Sequence, residues 1–118
     1  MFGGRVPMRI WDIQPHFLCR KHLLGEHREL HALWNILTQG KKGYQNHPET
    51  CRWKEKLRAL YNRHEQLVQE LKARGYQHKS PLNSELATGQ DFQDEYIDSI
   101  EVQKQILKDK DCPCLLFD

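Results

Sequence analysis

No apolar run in this 118-residue chain approaches the roughly 20 residues that a membrane-spanning helix needs. Met1 to Pro7 carries one Arg and no apolar stretch, so no secretory leader is expected, and a reducing cytoplasm is the expected setting. A Gly-rich phosphate cradle is lacking, as are a Gly-x-Ser-x-Gly elbow and a paired Cys/His arrangement for thiol catalysis. Cysteine is scarce, with four residues: Cys19, Cys51, Cys112 and Cys114. Cys112-Pro113-Cys114 is a CxC pair, not the CxxC of redox folds or zinc ribbons. No second Cys pair or HxxxH partner has ligand spacing near it, which weighs against zinc there. No strand pattern, internal repeat or low-complexity tract is present.

A mass of 14.1 kDa suits one domain. Hydrophobic residues make up 38%, charged residues 29%, and the mean hydropathy is −0.82, which describes a small core under a large polar surface. The charge is lopsided. Residues 1–79 carry fifteen Lys/Arg against seven Asp/Glu, and residues 80–118 carry three against nine. A basic body with an acidic tail segment suits a polyanion such as nucleic acid, though two solvated faces would read the same way.

Three helices are expected, in one compact domain with long irregular connections. Met1–Pro7 reads as a flexible extension and residues 8–118 as the helical domain. Pro15 fits a helix first turn, and Leu23, Leu30, Leu33, Trp34 and Leu37 recur at helical spacing up to Thr38. Gly40-Lys41-Lys42-Gly43 stops that helix. His47-Pro48-Glu49-Thr50 opens a second, with Trp53, Leu57, Leu60, Tyr61, His64, Leu67 and Leu71 as its stripe and Gly75 as its cap. Residues 76–90 read as a loop. A third helix is expected from about Asp94 to Lys108, with Ile97, Ile100 and Ile106 facing inward.

The densest polar cluster runs from His22 to His31. Residues three and four apart share a helix face, so His22, Glu26 and Glu29 form one strip and His27 and His31 another. Arg28 flanks Glu29. Two readings stay open: a solvated face of i,i+4 pairs, or an active site with a carboxylate beside a cation and imidazoles. Gly25 favours the second. Glycine in mid-helix costs about 1 kcal/mol, which makes sense if something must approach the backbone closely. A metal at His27 and His31 would resemble half of an HExxH site, but the Glu sits outside that spacing and the solvated face is preferred. Basic residues interleave with aromatics along the second helix, at Arg52-Trp53-Lys54, Arg58, Tyr61 and Arg63. The rings read as core, which leaves Lys41, Lys42 and Arg52 as the better phosphate ligands.

The segment from Met8-Arg9-Ile10 to Lys21-His22-Leu23-Leu24-Gly25-Glu26-His27-Arg28-Glu29-Leu30 resembles the start of the pyrimidine-dimer DNA glycosylases, the phage endonuclease V family. That enzyme also has Arg-Ile after its first residue, and a His-Leu-x-x-Glu-x-Arg-Glu-Leu run at the same distance. Glu70-Leu71-Lys72-Ala73-Arg74-Gly75-Tyr76 is similar to the end of that family's second helix, and Asp91 to Ile97 weakly to the start of its third. The resemblance spans roughly residues 8–110.

What the resemblance implies is an all-α monomer acting on double-stranded DNA that carries ultraviolet-induced cyclobutane dimers. It implies a glycosylase step followed by an AP-lyase step, with no metal and no organic cofactor. The nucleophile is the α-amine of the mature first residue, here matching Met8. The assisting carboxylate matches Glu29, 21 positions later in both. Arg28 matches a DNA contact. Arg9 and His22 are placed around the lesion, and Glu26 beside Arg28 or the imine. An α-amine titrates at about 7.7–8.0 against about 10.4 for Lys, so far more of it is neutral at pH 7. Seven residues precede Met8, so the working protein is expected to start there. Ala32 replaces a DNA-contacting Arg, and the tail from Asp111 replaces an aromatic, basic segment. A non-catalytic DNA-binding relative and a helical protein-interaction module stay open beside the enzyme; only the enzyme requires Met8 to meet Glu29.

Overall fold

The apolar stripe read between Leu23 and Leu37 becomes α1, Arg20–Gln39, which ends at Gly40 with φ 66°. The computed structural model describes residues 8–40, 45–78, 80–110 and 112–115. The Met1–Pro7 extension, Lys41 and Lys42 lie outside the described residues. Leu23, Leu30 and Leu33 are fully buried, as are Leu60 and Leu67 of α3, Leu57–Ala73, the helix α1 chiefly packs against. Each such side chain stabilises the fold by about 1.5–3 kcal/mol. Pro15 does not start α1. It opens a separate 3-10 turn, Pro15–Phe17, and Leu18 and Cys19 run extended before the helix begins.

The second helix is not continuous. It divides into α2, Pro48–Arg52, and α3, with Glu55 between them at φ 62°. The cause is long-range. Residues 88–90 cross this point, where Gln90 N–H donates to the Glu55 carbonyl at 2.9 Å. The first amides of α3 then cap on the same segment, Arg58 N–H donating to Thr88 at 2.8 Å and Ala59 N–H to Gln90 at 3.1 Å. Gly89, at φ 84°, is required here, because a Cβ would collide with the Glu55 carbonyl.

The third expected helix starts later, as α4, Ile100–Asp109, with Ser99 Oγ accepting the Val102 N–H at 3.2 Å. Its buried residues are Gln103 and Leu107, whereas Ile97 and Ile100 are 47% and 38% exposed. The acidic segment before it is engaged elsewhere. Asp94 and Glu95 pair with Lys56 at 2.8 and 2.6 Å, and Asp98 with Arg9 at 3.1 Å. Much of the acidic half is therefore folded onto the basic half. The described residues are all-α, with one isolated bridge between Lys56 and Gly89. Among them no helix is long and apolar enough to cross a membrane.

Candidate active site

Met8 to Ile13 lies across the bundle, with Met8, Ile10, Trp11 and Ile13 buried. Its backbone is fixed by side chains from three helices. Arg9 N–H donates to Glu29 Oε1 at 2.7 Å, Arg52 donates to the Ile10 carbonyl at 2.7 Å, and Asp12 N–H donates to Gln103 Oε1 at 2.8 Å. Glu29 on α1 therefore stands one peptide unit from the nitrogen of Met8, two residues that the sequence separates by 21 positions.

A cleft of about 400 Å³ opens at this point, lined by Arg9, Trp11, His22, Gly25, Arg28 and Glu29, with Lys21 and Lys110 at its rim. Glu29 is half-buried. Burial pushes its carboxyl above the ordinary glutamate value, while the Arg9 N–H and the Arg28 charge pull it down. Arg28, Lys21 and Lys110 are exposed, so their charges face solvent. Arg9 lies over the Trp11 ring at 5.0 Å. A Cβ added at Gly25 would meet only Arg28 Nη2, at 3.9 Å, an ordinary contact. Packing within the protein therefore does not demand glycine at this wall.

Two expected DNA contacts, Arg52 and Glu26, are engaged in buried ion pairs. Arg52 is 6% exposed and donates to Glu49 Oε2 at 2.6 Å, to Asp12 Oδ1 at 3.2 Å and to the Glu95 carbonyl at 2.9 Å. Its donors are taken up by these partners and the Ile10 carbonyl, behind the cleft lining. Glu26 does not support Arg28. It is 2% exposed and takes a bidentate pair from Arg63 of α3, at 2.7 and 3.0 Å. Burial pushes its carboxyl up and Arg63 opposes that. His22 does line the cleft, but its Nδ1 faces two thiols, Cys19 at 3.2 Å and Cys114 at 3.3 Å. The rim cations Lys21 and Lys110 were not singled out for the cleft. Lys110 carries no local signal, because only the path of the tail brings it to α1.

The structure also overturns the sequence arguments against metal ligation. Partners for Cys112 and Cys114 come from the far end of the chain, as Cys19 and His22. His27 and His31 are joined by His64 and His78.

Residues 8–84, well over half of the chain, match the family model described as pyrimidine dimer DNA glycosylase. No curated protein and no solved structure matches it. The match begins at Met8 and takes in α1 with Arg28 and Glu29, and α3 with Arg63. With its core built from these same elements, the chain belongs to the pyrimidine dimer DNA glycosylase family.

Proposed function

We propose that the working protein begins at Met8 and uses that residue's α-amine, with Glu29, to excise cyclobutane pyrimidine dimers from duplex DNA and then cut the strand. The observation that carries this reading is the 2.7 Å bond from the Arg9 N–H, one residue on from the Met8 nitrogen, to Glu29 Oε1. The family match starting at residue 8 supports the same start.

The neutral amine attacks the sugar C1′ and the base leaves with the bonding pair. The nitrogen loses a proton, and ring opening gives an imine that is cationic when protonated. Glu29 stabilises positive charge developing on the sugar and on the iminium. Loss of a C2′ proton then expels the 3′ phosphate, and water releases the amine. Arg28, Lys21 and Lys110 hold phosphates without reading sequence, and Arg9 contacts the lesion strand. The space above Gly25 admits the sugar close to the helix backbone. Unstacking is cheaper at a distorted lesion, which contributes selectivity. No metal or organic cofactor takes part in these steps, and the protein acts as a monomer.

The test compares chains beginning at Met8 and at Met1 on duplexes with and without a single thymine dimer. The Met8 chain is expected to nick the dimer duplex only. The Met1 chain is expected to bind both duplexes with steep salt dependence and nick neither, the behaviour of a non-catalytic relative. Nicking by a Met1 chain whose terminus stays intact by mass spectrometry would overturn Met8 as nucleophile.

A further inference from the structure

We infer that this chain binds two divalent ions of the zinc class, each in its own closed site of four side chains. The first site joins Cys19 and His22, at the start of α1, to Cys112 and Cys114 of the tail. The four ligand atoms all lie within 4.8 Å of one another. A tetrahedral zinc with bonds of about 2.3 Å to sulfur and about 2.0–2.1 Å to nitrogen has sulfur–nitrogen edges of about 3.5 Å. His22 Nδ1 stands 3.2 Å from Cys19 Sγ and 3.3 Å from Cys114 Sγ, close to that edge. The Cys19 N–H donates to Cys114 Sγ at 3.0 Å, an outer-shell bond of the kind that supports a ligating thiolate. The tail backbone is fixed as well. Leu115 sits at φ 70°, an unfavourable region for a residue with a Cβ, and its N–H donates to the Phe17 carbonyl at 2.7 Å. Such a conformation persists where the surroundings determine it, and an ion bound through Cys114 would do so.

The second site stands on separate residues. His27 and His31 lie one turn apart on α1, His64 comes from α3, and Gly75, at φ 91°, turns the chain so that His78 joins them. His31 Nε2 faces His64 Nε2 at 3.1 Å, and His27 Nε2 faces His78 Nε2 at 3.1 Å. A four-nitrogen tetrahedron has edges of about 3.3 Å. Two facing ring nitrogens can share at most one proton, whereas one cation satisfies all four lone pairs. His64 Nδ1 contacts Glu65 Oε2 at 2.8 Å, and a carboxylate behind an imidazole leaves Nε2 as the electron-pair donor. With four ligands each and no position open to substrate, both sites are structural. The first ties the tail to α1 and sets His22, whose ring meets Trp11 edge-on at 6.0 Å, on the cleft wall.

The full chain, purified with zinc and dialysed against metal-free buffer, is expected to hold two zinc ions per chain by mass-spectrometric metal analysis. The double variant Cys112→Ser/Cys114→Ser and the double variant His31→Gln/His78→Gln are each expected to retain one. In the stripped wild-type chain reloaded with Co²⁺, one equivalent should give a thiolate charge-transfer band and the other tetrahedral bands without it. A chain without zinc overturns both sites. A Cys variant that keeps two overturns the first, and a His variant that keeps two overturns the second. A wild-type value of one, lost in only one variant, retains that site and overturns the other. If either variant loses its helical circular dichroism, wild-type protection decides. Alkylation should reach exposed Cys51 at once and Cys19, Cys112 and Cys114 only with chelator. Diethyl pyrocarbonate should likewise reach His31 and His78 only with chelator. Rates that chelator leaves unchanged overturn the site concerned.

Discussion

The buried ion pairs at and behind the cleft lining, its floor, and the charged residues around the opening, its rim, are built from the same residue types and put to different uses. On the floor, Arg52 with Glu49 and Asp12, and Arg63 with Glu26, are buried and matched donor to acceptor. On the rim, Arg28, Lys21 and Lys110 are exposed, and Glu29 is only half-buried. Glu26 and Glu29 are three residues apart on one helix and both engage the backbone of the Met8–Ile13 segment, yet only Glu26 is fully buried and paired with Arg63 of α3. A buried ion pair contributes rigidity and little net stability, because desolvation offsets the attraction. A half-buried carboxylate with open space beside it can take up new positive charge. Removing a floor partner should therefore damage folding, and removing a rim partner should damage catalysis.

The largest expected effect is on the floor. Arg63→Ala leaves the Glu26 carboxylate buried without its partner and should lower stability by about 3–5 kcal/mol in urea denaturation. Arg28→Ala should stay within about 0.5 kcal/mol of the parent chain. If the two variants unfold alike, the division between floor and rim is wrong.

Glu29→Gln comes next. It should reduce dimer excision by about 10²–10⁴-fold with binding and stability retained. The parent chain should also lose activity on the acid side through a group above the ordinary glutamate value, because burial raises Glu29 and only its ionised form stabilises the cation. Falling pH protonates it and removes that stabilisation. A pH–rate profile of Glu29→Gln should lack this limb and keep only the fall that begins at higher pH, where the Met8 α-amine becomes protonated as the pH drops.

Smaller effects sharpen the rim. Arg28→Ala should weaken binding to all duplexes alike and reduce the salt slope by about one phosphate's worth. Gly25→Ala should raise stability by about 1 kcal/mol, since its Cβ meets no obstacle, while lowering kcat/KM by filling the cleft wall. A Gly25→Ala chain that is more stable and fully active would remove the argument that substrate approaches this backbone.

What was legible in the sequence follows from how far each determinant reaches. The stripe of α1 and the Gly40 stop are local, and periodicity finds them. Trp53 was rightly read as core; it is 2% exposed. The break between α2 and α3 was not legible, because residues 53–56 contain no Gly or Pro and the cause is the crossing of residues 88–90. Arg52 and Arg28 look alike in sequence. What separates them is Asp12, 40 positions before Arg52, and the backbone of Ile10. A charged Asp12 within the apolar run Ile10-Trp11-Asp12-Ile13 was the available hint that a buried cation would meet it. The two Cys/His groups escaped spacing rules because each draws ligands from distant segments.

The central claim is that the Met8 nitrogen and Glu29 form one chemical unit. The most direct measurement is borohydride trapping on a dimer-containing duplex, followed by proteolysis and mass spectrometry of the adduct. The account predicts a covalent link to the α-amine of Met8 in a chain that starts there, and no adduct from the Met1 chain. An adduct on a lysine such as Lys21, or on the Met1 amine, would contradict it.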